Sequence, residues 1–253
     1  MTRLSSYRDS RDLAHVLPFV VFMGFLLLIG LFESFGFTSD REDMPWYRFA
    51  PEQWVYPLQT VVTACVLLFF RHHYELKPAR GILFGVLIGV VGIAIWIAPG
   101  HVFRTLEMEP SSTLEKFGFA NREEGFNPTF IRDYSASWYG AAVLFRFLRM
   151  VIVVALIEEI FWRGFLMRYL TDLNGDYWKV PFGTHHWRAF LGVTLLVTLA
   201  HSPVDYVAAA IYGALAYFVA IRTKSLAACV AMHATANLLL GIYTMATGQW
   251  GYW

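Results

Sequence analysis

Long apolar runs constrain this chain more than any other feature. The longest extends from Ala189 to Ile221, and 25 of its 33 residues are apolar. As one helix it would be about 50 Å long, whereas about 20 helical residues cross a hydrocarbon core of roughly 30 Å. Because Pro203 disfavours a continuous helix, the sequence predicts two shorter spans here.

Five further runs carry the same signal, so the sequence predicts about seven membrane spans. These runs are Val16 to Phe32, Trp54 to Phe70, Gly81 to Ala98, Met150 to about Met167, and Ser225 to about Ala246. Hydrophobic residues make up 57% of the chain and charged residues only 15%, against about 25% in soluble domains. This composition excludes a soluble globular enzyme. We expect an all-α polytopic membrane helix bundle, with residues 1–253 in a single integral membrane domain and an extramembrane loop over 99–139.

The distribution of charge predicts the orientation and excludes one class of partner. With the N-terminus inside, the inner segments carry 11 positive and 5 negative side chains, and the outer segments carry 8 positive and 12 negative ones. Positive charge concentrates on the cytoplasmic side of membrane proteins. We therefore expect an integral protein of the bacterial cytoplasmic membrane with its N-terminus inside. The net charge of +1 offers no basic field for nucleic acid.

Ionisable and amide side chains enter three of the predicted spans. Such groups are costly in a bilayer and persist with a partner or a function. Helical rise places them all about 12 to 18 Å below a membrane boundary, in one layer. The fourth span carries Glu158, Glu159 and Arg163, the fifth carries His201, and the seventh carries His233 and Asn237.

Helical spacing assigns different tasks to these groups. Glu159 and Arg163 are four residues apart and can pair on one face, while Glu158 is turned about 100° away. A free Glu158 suits a general base for water, which His201 can also hold. His233 and Asn237 again share a face and can donate together to a developing oxyanion. The set predicts an amide-bond hydrolase without a protein nucleophile.

At these residues the chain resembles the CPBP intramembrane proteases, which include the CAAX prenyl endopeptidases and bacteriocin-processing proteins. The family motif EExxxR corresponds to Glu158 through Arg163, and HxxxN to His233 through Asn237. The motif of an aromatic residue four positions before a histidine corresponds to Val197 and His201, with valine in place of the aromatic residue. The resemblance covers residues 150–245, the expected catalytic core. More loosely, the layout is similar to the CAAX-protease-related branch found beside bacterial exosortase systems.

The resemblance implies an intramembrane endopeptidase. Glu158 and His201 would activate water, Glu159 and Arg163 would support the site, and His233 with Asn237 would surround the oxyanion. Its substrate would be a peptide or protein, with membrane-anchored or lipidated substrates included. We expect no cofactor.

Two other classes of protein use similar residues. A metal or haem module would use His201, His233 and Glu158, with zinc as the alternative cofactor, although no HExxH helix is present. A proton relay or transporter would also place Glu, Arg and His at mid-membrane. Asp205 has two interpretations of its own: it orients the ring of His201, or it caps the helix that follows Pro203.

Overall fold

The computed structural model describes residues 7–37, 51–132 and 135–253 of the chain. Seven helices dominate these ranges, and none of the described residues lies in a β-strand. The helices are α1 (Arg11–Ser34), α2 (Glu52–Phe69), α3 (Ile82–Thr105), α4 (Ala136–Thr171), α5 (Trp187–Leu199), α6 (Tyr206–Thr223) and α7 (Leu226–Thr247). Short helical turns lie at Arg71–His73, Ser112–Glu115, Pro128–Ile131, Tyr177–Lys179, Pro203–Asp205 and Trp250–Tyr252.

The expected all-α polytopic membrane fold is confirmed. Five helical segments are long and apolar enough to cross a membrane, namely Arg11–Phe32, Ile82–Thr105, Ala136–Thr171, Pro203–Thr223 and Leu226–Thr247. The shorter apolar helix α5 and helix α2 correspond to the remaining two predicted spans. Part of the first outer connection, residues 38–50, contributes to the predicted charge bias and lies outside the described residues.

Proline, a capping serine and a glycine account for the ends of three helices, α5, α6 and α7. The predicted break at Pro203 is present, since α5 ends at Leu199 and α6 begins at Tyr206. Helix α7 begins where the Ser225 hydroxyl accepts a hydrogen bond from the backbone N–H of Ala228, and it ends at Gly248, whose φ of 69° is left-handed.

Two helix boundaries differ from the predicted ones and shorten the third connection. Helix α3 continues through Pro99 to Thr105, and α4 begins at Ala136, well before the predicted start near Met150. Proline removes one backbone donor but does not always end a helix in an apolar setting, where neighbouring groups can satisfy the freed carbonyl. The connection therefore runs over residues 106–135, of which 133–134 lie outside the described residues.

Helix α4 alternates between α and π geometry, which the sequence did not predict. Leu148–Val154 and Ile160–Leu166 are π-helical, and they flank the α-helical turn Ala155–Glu159. π-Helical turns are rare and occur frequently at functional sites. The two adjacent glutamates of the first motif lie in the α-helical turn between them.

The chain divides into two compact units. The first comprises Met1–Tyr74 and Phe126–Ile157. In it α1 packs against α2, and α2 packs against the first half of α4. The fully buried Gln59 donates from Nε2 to the carbonyl oxygen of Phe22 at 2.8 Å and accepts from Nε of Arg149 at 2.6 Å. A buried amide therefore links all three helices of this unit.

The second unit comprises Glu75–Gly125 and Glu158–Trp253. Its most extensive contact joins α3 to α7, and α6 packs against α3, α5 and α7. Two glycines of α3 allow the close approach: a Cβ on Gly85 would collide with the carbonyl oxygen of Ala228, and one on Gly89 with that of Met232. Because Met232 precedes His233, this contact fixes the depth of that histidine beside α3.

Candidate active site

The centre of the candidate site is the buried side chain of Glu159 in the second unit. Arg163 donates from Nη1 to Oε1 of Glu159 at 3.1 Å, one helical turn along α4, as the spacing predicts. The exposed fractions are 0% for Glu159 and 2% for Arg163. Nη2 of Arg163 also lies 3.5 Å from the carbonyl oxygen of Gly213 in α6. The ion pair is therefore held within protein and joins α4 to α6.

His233 contacts the same carboxylate oxygen from the opposite helix. Its Nδ1 lies 2.9 Å from Oε1 of Glu159, and its side chain is 11% exposed. The sequence reasoning paired Glu159 with Arg163 and His233 with Asn237, and it missed this contact between the two motifs. An ionised carboxylate accepts only, so Nδ1 of His233 carries the hydrogen when Glu159 is ionised. Nε2 can then donate only if the ring is doubly protonated.

Glu158 differs from its neighbour in burial and in hydrogen bonding. It is half-buried, and no hydrogen bond to its carboxylate is found among the described residues. It is nevertheless close enough to His233 and Tyr212 to interact with both electrostatically. The two adjacent glutamates therefore have separate environments, and only Glu159 is paired.

His201 lies in the turn after α5 and is half-buried. Its Nδ1 lies 2.7 Å from the carbonyl oxygen of Val197. A carbonyl oxygen can only accept, so Nδ1 carries the hydrogen, and Nε2 of the neutral ring is an acceptor. No hydrogen bond joins His201 to Glu158 among the residues that the structure describes. The histidine contacts the site through an aromatic ring instead.

That ring belongs to Trp96 of α3, one of two site residues that the sequence reasoning missed. The ring centroids of Trp96 and His201 are 5.2 Å apart, and Trp96 also meets Tyr212 of α6 edge-on at 5.9 Å. Tyr212 in turn meets the ring of His233 at 5.9 Å. Aromatic contacts therefore connect the two predicted histidines. Trp96 and Tyr212 both lie in apolar runs of the sequence, where no motif distinguishes them from packing residues.

Asn237 follows His233 by one turn of α7 and lies on the same face. It is half-buried and has an interaction partner. The structure thus places Glu159, Arg163 and His233 in direct contact, connects His201 through Trp96 and Tyr212, and leaves Glu158 and Asn237 at the edge of this cluster.

Asp205 has neither of its two predicted roles. Its carboxylate accepts from both terminal nitrogens of Arg122, at 2.6 and 3.2 Å, and makes no capping hydrogen bond to α6. The Nδ1 of His201 is already occupied by Val197. The guanidinium of Arg122 also lies 4.9 Å from the ring of Tyr252, whose pKa burial raises to about 12. Asp205 therefore anchors the turn after His201 to the preceding loop.

Among the residues that the structure describes, no group of three or more His, Cys, Asp and Glu side chains could hold a metal ion.

Residues 140–239 match the family model described as type II CAAX prenyl endopeptidase Rce1-like. This segment, 100 of the 253 residues, is similar to the Rce1-like family. It contains all six predicted site residues, and the match confirms both the resemblance and the enzyme class, a membrane protease that hydrolyses peptide bonds. No curated protein and no solved structure matches the chain.

Proposed function

We propose that this chain is an intramembrane endopeptidase in which Glu158 and His201 activate the attacking water. The observation that carries the proposal is the match to Rce1-like proteases over residues 140–239. The environments of the two glutamates support the division of roles. Glu159 is buried and occupied by Arg163 and His233, while Glu158 is half-buried with no hydrogen bond among the described residues.

Proton transfer in this mechanism begins at the water. Glu158 accepts a proton as the water oxygen attacks the carbonyl carbon of the scissile peptide bond. Nε2 of His201 accepts the second hydrogen bond of the same water, because its Nδ1 donates to Val197. Glu158 then returns the proton to the leaving amine, so no side chain forms a covalent intermediate. The two groups position one water without a metal ion.

The developing negative charge requires hydrogen-bond donors. His233 and Asn237 supply them from one face of α7, His233 through Nε2 of a doubly protonated ring. The carboxylate of Glu159 beside Nδ1 of His233 favours this protonation state, because a negative charge stabilises an imidazolium. Arg163, Glu159 and protonated His233 then carry one net positive charge together. A cluster of charge +1 is complementary to an oxyanion.

The proposed substrate is a peptide or protein presented at the membrane, with lipidated C-terminal segments included. Two observations support this proposal: the family description is that of a CAAX prenyl endopeptidase, and five helical segments are long and apolar enough to cross a membrane. We further propose that the protein lies in a bacterial cytoplasmic membrane, and the charge bias of the sequence supports an N-terminus on the inside.

Cleavage of tagged peptides in detergent tests the proposal. The panel contains a tagged random peptide library, a farnesylated CAAX-type peptide and its unmodified counterpart, each incubated with wild type and Glu158→Gln. We expect cleavage by the wild type and a loss of at least about a hundred-fold in Glu158→Gln, which keeps volume but accepts no proton. Glu115→Gln is the matched control, since Glu115 is exposed in the short helical turn Ser112–Glu115. Turnover by Glu158→Gln within a few-fold of wild type would contradict the assignment.

A further inference from the structure

The hydroxyl group of Tyr212 is buried inside the candidate site, and the proposed mechanism gives it no role. Tyr212 lies on α6 with 8% of its surface exposed, and its hydroxyl has no hydrogen-bond partner among the described residues. Burying a hydroxyl without a partner costs free energy, and buried polar groups in folded proteins are nearly always satisfied. The position therefore requires an explanation.

The ring of Tyr212 is fixed from two sides. Trp96 and His233 each meet it edge-on with centroids 5.9 Å away. Gly92, one turn before Trp96 on α3, provides the space: a Cβ there would lie 2.8 Å from Cδ2 and 3.0 Å from Cε2 of the tyrosine ring. The hydroxyl is thus held in one direction by packing rather than by a hydrogen bond.

A second tyrosine on the same helix has a buried hydroxyl that protein groups do satisfy. Tyr217 is 2% exposed, and its hydroxyl lies 3.3 Å from Nδ1 of His185 and 3.2 Å from the carbonyl oxygen of His186. Tyr217 is therefore satisfied by protein, whereas Tyr212 is not. The surroundings differ too, since Tyr212 lies within electrostatic range of Glu158 and Glu159.

We propose that Tyr212 is a further catalytic residue whose hydroxyl donates a hydrogen bond to the scissile carbonyl oxygen as it becomes an oxyanion. This inference rests on the proposed function and deepens it. The bound peptide supplies the acceptor that the protein lacks, and the contact with His233 places the phenol beside the proposed oxyanion donor. Trp96 is a positioning residue for both Tyr212 and His201.

The test compares Tyr212→Phe with Tyr217→Phe in the full chain in detergent. Thermal unfolding, kcat and KM are measured on the tagged peptide that the wild type cleaves. Tyr212→Phe removes only an unpaired hydroxyl, so we expect a Tm at least equal to that of wild type, with kcat lower by at least about ten-fold and KM nearly unchanged. Tyr217→Phe removes a bonded hydroxyl, so we expect a lower Tm with unchanged kcat for the folded fraction.

Three outcomes would overturn the inference. Wild-type kcat in Tyr212→Phe, or a kcat loss no larger than its loss of folded protein, would make the hydroxyl structural. A higher KM with unchanged kcat would show that the hydroxyl binds the ground state and not the oxyanion. No cleavage of any peptide by the wild type would overturn the proposed function and the role of Tyr212 with it, whereas the first two results affect Tyr212 alone.

Discussion

Each unit of the molecule buries arginine in an apolar helix, but the two units neutralise the charge differently. In the second unit Arg163 bonds to the carboxylate of Glu159, which also contacts His233. In the first unit Arg149 bonds through Nε to the amide of Gln59, and its guanidinium lies 4.3 Å from the ring centroid of Tyr56. No carboxylate contacts Arg149 among the described residues.

This difference separates a reactive cluster from a packing cluster. A carboxylate shared by an arginine and a histidine fixes the protonation and orientation of the imidazole, whose other nitrogen remains available. Aromatic faces and an amide stabilise a cation but hold no transferable proton. Arg146, 4.8 Å from the same Tyr56 ring, extends the aromatic arrangement of the first unit. We therefore expect the two arginines to respond differently to substitution.

Substituting Arg163 should have the largest effect. Arg163→Met removes one of the two partners of the fully buried carboxylate of Glu159 and leaves only His233, which should lower the free energy of unfolding by about 3–5 kcal/mol. We expect poor expression or a strongly reduced Tm in detergent, measured by thermal unfolding.

The double variant Glu159→Gln/Arg163→Met provides the control for this prediction. It removes both charges, so it should recover much of the lost stability while hydrolysis stays impaired, because His233 loses its anionic partner. A stable Arg163→Met protein that is only slow would contradict the structural role of the pair.

A smaller effect is expected at Arg149. Arg149→Met loses the aromatic contacts and leaves the Oε1 of Gln59 unpaired, but it also removes the cost of a buried charge, so we expect a loss of about 1–2 kcal/mol. Activity per folded molecule should not change. If thermal unfolding shows that Arg149→Met is as damaging as Arg163→Met, the comparison between the units fails.

Local periodicity accounts for what the sequence predicted well. The spans, the break at Pro203 and the pairing of Glu159 with Arg163 depend on apolar length, a missing backbone donor and one helical turn. The contact of His233 with Glu159 depends on how α7 packs beside α4, which no spacing within one helix reveals.

The contacts that α3 makes with the site could not be predicted from the sequence either. Gly85 and Gly89 appeared only as part of an apolar run, yet they admit the backbone of α7, and Gly92 admits the ring of Tyr212. Trp96 carries no motif and is recognisable only from its contacts with His201 and Tyr212. No spacing within α4 predicts its two π-helical turns either.

The smallest effect is expected from removing metal ions. Zinc sites use His, Cys and carboxylate ligands, so Glu158 with two histidines is a chemically credible set. We nevertheless propose metal-independent hydrolysis, because no three His, Cys, Asp or Glu side chains among the described residues are grouped as metal ligands and the carboxamide of Asn237 is a poor zinc ligand. Purified protein is chelated exhaustively, its metal content is measured by elemental analysis, and peptide cleavage is compared before and after. The activity of the metal-free protein should stay within about two-fold of that before chelation. Substituting a residue that transfers the proton should lower the activity far more. Activity that disappears with the metal and returns with near-stoichiometric zinc would replace the proposed pair by a zinc-bound water, and it would make His233 a ligand rather than an oxyanion donor.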